Sequence, residues 1–435
     1  MGTPVEKKVA LLTVGCRLNQ YETEKMGQAL YPHGFRRAKP DEPADLYIIN
    51  TCTVTHRADS TSRYLIQKAT RENPDGRIVV AGCYVESDAS AIEGMEAVDV
   101  IIRNSEKPDI ARILPQRLPE LFEVAAQVSD DNAADAFSRY NRAWLKVSDG
   151  CNQRCAFCIL PKVRGPLRNR PALEIIDEIR ALRTLGFNEV VLTGVNLGHY
   201  KNRQTEPQVK NLAHLCRMIL ADTDLSRLRL SSIEPQTVRD ELLAVISDSR
   251  GRICRHMHLP LQSGSDRLLR IMHRPYTSEI YLKRVADARA TQPNTIVGAD
   301  VIVGFPGETD DDFAATRRIA ESGLIDYLHV FSYSDRPGAP SAEMGDKVSP
   351  EVIKERNAVL KEVSEDLKRR AHRRQVGLVL EVIAQHQRPE RHELFGVADN
   401  YVKVRLPYEY DRGRALSRVL ITATHDDHVS GDLLD

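Results

Sequence analysis

The pattern of apolar and polar positions predicts strands that alternate with helices over most of the chain. Apolar runs bounded by turn residues recur, and stretches of helical periodicity follow them, as is typical of parallel sheets built from βα units. Near the N-terminus the runs cover 8–14, 46–50 and 77–81, with helices from about Asn19 and Arg57. This part of the chain therefore predicts a doubly wound parallel sheet.

The same alternation resumes in the centre of the chain. The predicted strands are 143–147, 189–193, 227–231, 256–259, 296–303 and 325–330. Six βα units are too few for a closed eight-stranded barrel, which needs more chain. Polar motifs follow several of these strands, at the edge where α/β folds place their chemistry.

After residue 335 the pattern changes. A charged helix is predicted over 350–374, and short strands follow at 377–384, 401–405 and 418–423. Short strands of this kind indicate a small antiparallel β-barrel related to the OB fold. The chain is thus predicted to be an α/β multidomain protein with domains at 1–135, 136–372 and 375–435. An acidic stretch of small residues at 128–136 is expected to form an exposed connection.

Composition places the chain among globular proteins of a reducing compartment. Of its 435 residues 42% are hydrophobic and 28% are charged, which is ordinary for a globular protein. No apolar run approaches the roughly 18 residues that span a bilayer, so no membrane partner is expected, and the N-terminus carries no signal or transit pattern. Eight cysteines favour metal or redox use over disulfides in the cytoplasm, the expected location.

Net charge does not by itself indicate a nucleic-acid partner, since 61 basic residues balance 61 acidic ones. Any RNA binding must come from local basic patches. Two patches occur, for which the alternative is a solvated surface: Arg154, Lys162, Arg164, Arg168 and Arg170 in the first, and Lys368, Arg369, Arg370, Arg373 and Arg374 in the second.

Three cysteines, Cys151, Cys155 and Cys158, fall within eight residues just after the strand predicted at 143–147. An odd number of thiols without a secretory signal argues against disulfides, and a structural zinc would need a fourth ligand that is not nearby. Thiolates are the usual ligands of iron–sulfur clusters. Three ligands on a four-iron cluster would leave one iron open to bind another molecule.

A second set of thiols, Cys16, Cys52 and Cys83, occupies equivalent places just beyond the three N-terminal strands. Because parallel strands end at one edge of a sheet, these thiols are expected to converge and to bind a second cluster. Singly, each would be explained as a small buried residue. Cobalamin is a further alternative for such a domain, but the Asp-x-His-x-x-Gly motif expected with it is absent.

These motifs resemble those of a known enzyme family. Cys-x3-Cys-x2-Cys with Phe157 before the last cysteine resembles the signature of radical S-adenosylmethionine (SAM) enzymes. The segments 15–22, 50–55 and 82–84 resemble the N-terminal domain of the methylthiotransferase family, and 15–22 is most similar to the branch that acts on threonylcarbamoyladenosine in tRNA.

The resemblance implies two [4Fe–4S] clusters, each held by one cysteine triplet, and bound SAM. It also implies that the central domain is a partial (β/α)6 barrel. Residues implied to bind SAM are Phe157, Asn196, Ser232, Glu234, Gln262 and Gly264. No catalytic residue beyond the cluster ligands is assigned. Cys216 is expected in the core, and Cys254 is expected to be partly exposed without a catalytic role.

The C-terminal domain resembles the TRAM domain of RNA-modifying enzymes through residues 396–404. A capping barrel without RNA contact is the alternative. Residues expected to contact the substrate are Arg164, Arg168, Arg170, Tyr401 and Lys403, through phosphates and base stacking.

The implied activity is methylthiolation of carbon 2 of N(6)-threonylcarbamoyladenosine beside the tRNA anticodon. In the family, an electron from the Cys151–Cys155–Cys158 cluster cleaves SAM to a 5′-deoxyadenosyl radical, which removes the hydrogen. The second cluster supplies the sulfur, or holds it on its open iron, where a second SAM has methylated it. Expected partners are the anticodon stem-loop and a reductant such as flavodoxin or ferredoxin. The alternatives are methylthiolation of isopentenyladenosine, methylthiolation of a ribosomal protein, and an electron-transfer protein without SAM chemistry.

Overall fold

The computed structural model describes residues 7–122, 140–202, 206 and 208–434, with the backbone alone at 386, 388 and 389. The chain divides into two compact units. The first comprises Met1–Arg139, Cys158–Pro166 and Arg336–Gly338, and the second comprises Tyr140–Phe157, Leu167–Asp335 and Ala339–Asp435. The predicted boundary at 135/136 and the predicted connection at 128–136 lie outside the described residues. The predicted central and C-terminal domains belong to the same unit.

The first unit contains a parallel sheet with the strand order β2–β1–β3–β4–β5. Its strands are β1 (Lys7–Thr13), β2 (Phe35–Arg37), β3 (Leu46–Thr51), β4 (Arg77–Gly82) and β5 (Val100–Ile102). Its helices are α1 (Arg17–Leu30), α2 (His56–Glu72), α3 (Cys83–Ser87), α4 (Ala89–Glu93), α5 (Ile110–Arg117) and α6 (Leu160–Arg164). The predicted doubly wound sheet is confirmed, with two short edge strands, β2 and β5, in addition to the three predicted ones.

Both faces of this sheet are covered. Every residue of β3 is buried, as expected for a central strand of a parallel sheet with helices on both sides. Successive residues enter different cores: Ile48 and Val79 pack in one apolar cluster, and Ile49 and Val80 pack in the other. Alternate side chains along each strand therefore pack on opposite faces of the sheet.

The second unit contains the six strands predicted for the partial barrel. They form the parallel orders β6–β9–β10 and β11–β12–β13, with parallel bridges that join Leu228 to Ile253 and Ser232 to His258 between them. The six strands are β6 (Ala143–Lys146), β9 (Glu189–Thr193), β10 (Arg227–Leu230), β11 (His256–His258), β12 (Ile296–Val303) and β13 (Tyr327–Ser332). A separate two-stranded sheet is formed by β7 (Ser148–Asp149) and β8 (Arg168–Asn169). Strand β13 begins two residues later than predicted, and the pair β7–β8 was not predicted.

Helices connect these strands. They are α7 (Ala172–Thr184), α8 (Leu212–Asp222), α9 (Asp240–Asp248), α10 (Asp266–Ile271), α11 (Ser278–Thr291), α12 (Asp310–Ala320) and α13 (Pro350–Arg373). The charged helix predicted over 350–374 is α13. Among the described residues, no helix combines the length and the apolar character that crossing a bilayer requires.

A closed barrel completes the second unit, with the order β14–β15–β16–β18–β17. Its strands are β14 (Val379–Arg388), β15 (Glu393–Ala398), β16 (Lys403–Leu406), β17 (Leu416–Thr424) and β18 (Val429–Leu433). The predicted small β-barrel is confirmed, but it is not wholly antiparallel, because β16 and β18 pair in parallel. Strands β15 and β18 were not predicted, and β18 carries the polar sequence Val-Ser-Gly-Asp-Leu, which is not an apolar run.

A buried ionic network joins this barrel to the central domain within the second unit. Glu189 is fully buried, and its carboxylate oxygens lie 2.6 Å from Arg227 and 2.7 Å from Arg229. The same arginines donate onward to the terminal barrel, Arg229 to the carbonyl of Ala398 at 2.9 Å and Arg227 to that of Glu381 at 3.1 Å. The Glu189 carboxylate thus positions the two arginines that bind the terminal barrel to the central domain.

Candidate iron–sulfur and S-adenosylmethionine sites

The first candidate site lies at the carboxyl edge of the parallel sheet in the first unit. Cys16 follows β1, Cys52 follows β3 and Cys83 begins α3 directly after β4. Burial, with smaller contributions from the neighbouring thiols Cys83 and Cys16, raises the pKa of Cys52 to about 12. Cys52 and Cys83 are buried, whereas Cys16 is exposed. The structure therefore brings the three N-terminal thiols into mutual electrostatic range, with one of them accessible from outside.

Glycines allow this convergence. Gly15 has φ +98°, and a Cβ there would lie 2.7 Å from the Cys52 Sγ. Gly82 has φ +105°, and a Cβ there would lie 2.3 Å from the Thr51 carbonyl oxygen. Both positions combine a backbone conformation that favours glycine with a close approach to a neighbouring cysteine loop.

Asn19, three residues after Cys16, connects two of these loops. Its side-chain amide is buried and donates to the carbonyls of Val14 at 2.8 Å and Thr51 at 2.9 Å. Asn50 donates in turn to the Asn19 carbonyl at 2.9 Å. The amides thus satisfy backbone groups that would otherwise be left unpaired beside the cysteines.

A buried cationic pair lies beside Cys83. The guanidinium of Arg164 is 2.9 Å from Glu22, and the ammonium of Lys107 is 2.6 Å from the same carboxylate. Burial raises the pKa of Cys83, and Arg164 and Lys107 oppose that rise through their charge. Arg164, expected from the sequence to contact the substrate, is almost fully buried in the first unit and serves its interior.

Helix α6 brings Arg164 to this place. Ile159 and Val163 pack against Cys83 in one apolar cluster, and Asn104 donates to the Val163 carbonyl at 2.9 Å. The segment that follows Cys158 in the chain is thereby built into the surroundings of Cys83.

The second candidate site is the loop that begins at Cys151. The Asn196 amide donates to the Cys151 Sγ at 3.7 Å, and the Arg274 guanidinium donates to the Cys155 Sγ at 3.1 Å. Burial raises the pKa of Cys155, against the charge of Arg274. Cys158, the third thiol of the motif, is half-buried.

Arg274 is a site residue that the sequence reasoning missed. Besides Cys155 it contacts Glu234 through an ion pair and the Tyr276 hydroxyl at 3.1 Å. Burial also raises the pKa of Glu234, with Arg274 opposing. The contact could not be predicted from the local sequence, because Arg274 lies more than a hundred residues from the cysteines. The Arg-Pro-Tyr sequence after α10 indicates only the turn in which this arginine lies.

The residues implied to bind SAM differ in their surroundings. Asn196 is buried, and its Oδ1 accepts no hydrogen bond from any described residue. Gln262 adopts φ +64°, a conformation that non-glycine residues hold mainly where the surroundings impose it. Ser232 is exposed. Phe157 packs on an apolar cluster with Met272.

Gly264 has a packing role of its own. Its amide donates to the Thr316 hydroxyl at 2.9 Å, and a Cβ there would lie 2.6 Å from the Ala315 carbonyl oxygen. Three features fit the binding of a cluster and SAM at this loop. Side chains donate hydrogen bonds to the sulfurs of Cys151 and Cys155, the Asn196 Oδ1 is left for a ligand, and the Gln262 backbone is fixed at a positive φ.

The other residues expected to contact the substrate are mostly engaged. Arg168 is exposed, but Arg170 lies 2.8 Å from Glu178 and Lys403 lies 2.6 Å from Asp427. Tyr401 is half-buried and stacks on His256 with ring centroids 4.4 Å apart. In the second basic patch, too, ion pairs are present: Lys368 with Glu365, Arg369 with Asp366, and Arg374 with Asp326.

The two remaining cysteines are both core residues. Cys216 is buried, as expected, and Cys254 is 3% exposed. The expectation that Cys254 is partly exposed is wrong, because the buried arginines around Glu189 enclose it, and its pKa is raised by burial.

Comparisons with known proteins agree with this arrangement. The profile described as Radical SAM superfamily matches residues 145–320, and that of Uncharacterized protein family UPF0004 matches residues 8–103. The solved structure of TsrM from Kitasatospora setae, a radical S-adenosylmethionine methyltransferase, superposes with a TM-score of 0.56 at 16% identity and covers 77% of this chain and 75% of that one. This likeness concerns the fold.

Curated relatives extend over nearly the whole chain. Threonylcarbamoyladenosine tRNA methylthiotransferase MtaB of Bacillus subtilis is 36% identical, over 91% of this chain and 89% of the relative. The protein of the same name from Aquifex aeolicus is 33% identical, over 95% of this chain and 100% of the relative. The tRNA-2-methylthio-N(6)-dimethylallyladenosine synthase of Carboxydothermus hydrogenoformans is 34% identical, over 87% and 88%. With two cysteine triplets on the expected domains and relatives of this extent, the chain belongs to the radical SAM methylthiotransferase family.

Proposed function

We propose that this chain attaches a methylthio group to carbon 2 of N(6)-threonylcarbamoyladenosine beside the anticodon of tRNA. The observation that carries the proposal is the presence of two separate cysteine triplets. One is gathered at the edge of a doubly wound sheet, and the other is on a loop of a partial barrel. An electron-transfer protein would need neither this pair of open sites nor the barrel.

The thiolates of each triplet hold one [4Fe–4S] cluster, and Asn196, Glu234 and Gln262 hold SAM. When bound, these groups supply a radical that removes hydrogen from an unactivated aromatic carbon, and they supply the sulfur that replaces it. The chain itself positions and shields. Arg274 places a positive charge against Cys155 and Glu234, and burial of Cys155 excludes water from its sulfur.

The choice of threonylcarbamoyladenosine as substrate follows from two sources. The 15–22 segment resembles that branch of the family, and the relatives from Bacillus subtilis and Aquifex aeolicus carry that activity in their names. The tRNA is therefore proposed as partner through its anticodon stem-loop, with flavodoxin or ferredoxin as reductant, in the cytoplasm. Residues 1–135, 136–372 and 375–435 are proposed as cluster, radical SAM and TRAM domains.

Methylthiolation of isopentenyladenosine is the second candidate. It is favoured by relatives named as dimethylallyladenosine synthases at 34% identity, which is close to the identity of the first group.

The test compares two anticodon stem-loops with the purified, anaerobically reconstituted protein, SAM and a reductant. One RNA carries threonylcarbamoyladenosine and the other isopentenyladenosine, and the products are read by mass spectrometry of nucleoside digests. We expect the methylthio product from the first RNA only. Product from the isopentenyl RNA alone would contradict the proposed substrate, and product from neither RNA, with tRNA digests unchanged when the gene is deleted, would contradict tRNA as the target.

A further inference from the structure

Three titratable side chains meet inside the second unit, apart from the residues assigned to SAM. His258 ends β11, Asp300 lies in β12 and His329 lies opposite Asp300 in β13. The His258 Nε2 is 2.9 Å from the Asp300 Oδ1, and the His329 Nδ1 is 3.3 Å from the same oxygen. The two imidazoles stack with centroids 5.0 Å apart. Two rings, one from each of the strands that flank β12, thus converge on one carboxylate oxygen.

The two histidines differ in what they leave free. His258 is engaged at both ring nitrogens, since its Nδ1 lies 3.3 Å from the Tyr327 hydroxyl, and its side chain is 10% exposed. The His329 side chain is 52% exposed, and with Nδ1 at Asp300 its Nε2 faces away from the carboxylate. In the described part of the chain no hydrogen bond engages the Asp300 Oδ2. The cluster therefore offers one imidazole nitrogen and one carboxylate oxygen to a ligand.

The cluster lies within electrostatic range of Glu234 and at the wall of a cavity. The charge of Asp300 adds to burial in raising the pKa of Glu234, one of the residues assigned to SAM. His329 also lines a cavity of about 230 Å³ together with Tyr327, Tyr401 and Lys403.

We propose that His329 and Asp300 bind the polar substituent on N6 of the substrate adenosine, with His258 as a positioning residue. The inference rests on the proposed function. The threonylcarbamoyl group carries a carbonyl, a carboxylate, a hydroxyl and N–H donors. With Nδ1–H directed at Asp300, the His329 Nε2 can accept from an N–H or the hydroxyl of this group, or donate to one of its oxygens when the ring is an imidazolium. The Asp300 carboxylate can accept from its N–H or hydroxyl.

The same cluster disfavours a hydrocarbon at that position. An isopentenyl group would displace water from an imidazole and a carboxylate without replacing the lost hydrogen bonds, and unpaired polar groups at a recognition site lower the reactivity of the wrong substrate strongly. Two histidines and one carboxylate are also a ligand set for divalent transition metals. Metal binding is therefore one of the outcomes that the test separates.

The experiment uses the full-length, reconstituted protein and three variants. His329→Phe keeps the ring size and removes the hydrogen bonds, His329→Gln keeps a donor near the Nε2 position, and His214→Phe changes a histidine on the outer helix α8. Steady-state kinetics are measured with the threonylcarbamoyladenosine stem-loop, and 5′-deoxyadenosine release is measured with SAM and reductant alone. Metals other than iron are quantified by mass spectrometry.

We expect His329→Phe to lower kcat/KM roughly ten- to a hundredfold, while His329→Gln loses much less and His214→Phe matches the wild type. Release of 5′-deoxyadenosine without RNA should be unchanged in all three variants. Wild-type protein that is inactive on this RNA would overturn the proposed function itself. Active wild type with equal kinetics for His329→Phe would overturn only the inference, as would joint loss of RNA-free SAM cleavage in both His329 variants. A non-iron metal near one equivalent per chain that disappears in His329→Phe would also overturn it, in favour of a metal site.

Discussion

At the scale of single residues, the two cysteine triplets differ in what surrounds each sulfur. Cys52 is buried, Cys83 is buried beside the Arg164 guanidinium and the apolar side chains of Ile159 and Val163, and Cys155 is contacted by the Arg274 guanidinium. Burial raises the pKa of all three thiols. A free thiolate is therefore disfavoured at each, and iron is expected to displace the proton on binding. The two triplets serve different clusters, so substitutions around one triplet should differ in effect from substitutions around the other.

Substitution of one cysteine from each triplet tests this separation. Cys155→Ala should abolish cleavage of SAM to 5′-deoxyadenosine, because the cluster that binds SAM loses a ligand. Cys52→Ala should leave cleavage intact and stop methylthio transfer. Both products are measured in the same reaction by liquid chromatography. Full product formation by Cys52→Ala would show that the first triplet holds no sulfur-transferring cluster.

Gly82 offers a test of backbone geometry. Gly82→Ala should lower the free energy of unfolding by about 1–3 kcal/mol, because φ +105° is strained for alanine and the new Cβ would meet the Thr51 carbonyl. Gly345→Ala is the matched control, since a Cβ there meets nothing within 4 Å. Denaturant unfolding measures both. Equal midpoints for the two variants would mean that the loop relaxes without cost.

At the scale of elements, the short helix α6 follows the second cysteine triplet in the chain and packs within the first unit. It begins two residues after Cys158 and ends at Arg164, which is buried against Glu22 beside Cys83. Its residue Val163 and the preceding residue Ile159 pack on Cys83 itself. A helix of one turn has little stability of its own, so this one is held by its contacts in the first unit.

Removing the charge at the end of α6 should affect the N-terminal cluster in particular. Arg164→Met leaves Glu22 with Lys107 alone, and breaking a buried pair costs about 3–5 kcal/mol. We expect iron per chain to fall from about eight toward about four, as one [4Fe–4S] cluster is lost, while SAM cleavage persists. Arg168→Met, at an exposed position, is the control. Unchanged iron in Arg164→Met would show that the arginine does not support the cluster site.

Much of the element order could be predicted from the sequence, for identifiable reasons. Strands β9 and β12 are observed at the predicted residues because both are mainly apolar runs bounded by turns, although β9 includes Glu189 and β12 includes Asp300. The convergence of the N-terminal thiols followed from the common edge of parallel strands. Arg274 and the buried side of Arg164 could not be predicted, because their partners are 119 and 142 residues away. Such pairing depends on tertiary packing and leaves no local pattern.

At the scale of the whole molecule, the buried carboxylate of Glu189 organises the junction within the second unit. Burial opposes its ionisation, but Arg227, Arg229 and Arg142 hold the pKa of Glu189 well below its usual range. Two of these arginines also bind carbonyls of the terminal barrel. The barrel is thus held by buried charges, and water cannot solvate these charges if one of the partners is removed.

Glu189→Gln should therefore destabilise the second unit by at least about 3 kcal/mol, since three guanidiniums would share no buried anion. The terminal barrel should also become sensitive to limited proteolysis. Glu174→Gln is the control, because its pair with Arg170 is 3.9 Å long and largely exposed and surface pairs contribute about 0–1 kcal/mol. Identical proteolysis patterns for both variants would show that other contacts hold the barrel.

The division of the chain into units has a practical consequence for dissecting it. The first unit includes Cys158–Pro166 and Arg336–Gly338 as well as the N-terminal sheet. Arg164 neutralises Glu22 there, and Arg336 lies 2.6 Å from the buried Asp59. A fragment cut after the last N-terminal helix would strip both carboxylates of their guanidiniums and expose the apolar patch around Cys83. Recombinant work on the N-terminal cluster, or grafting that domain onto another barrel, therefore has to carry these two distant peptides along with it.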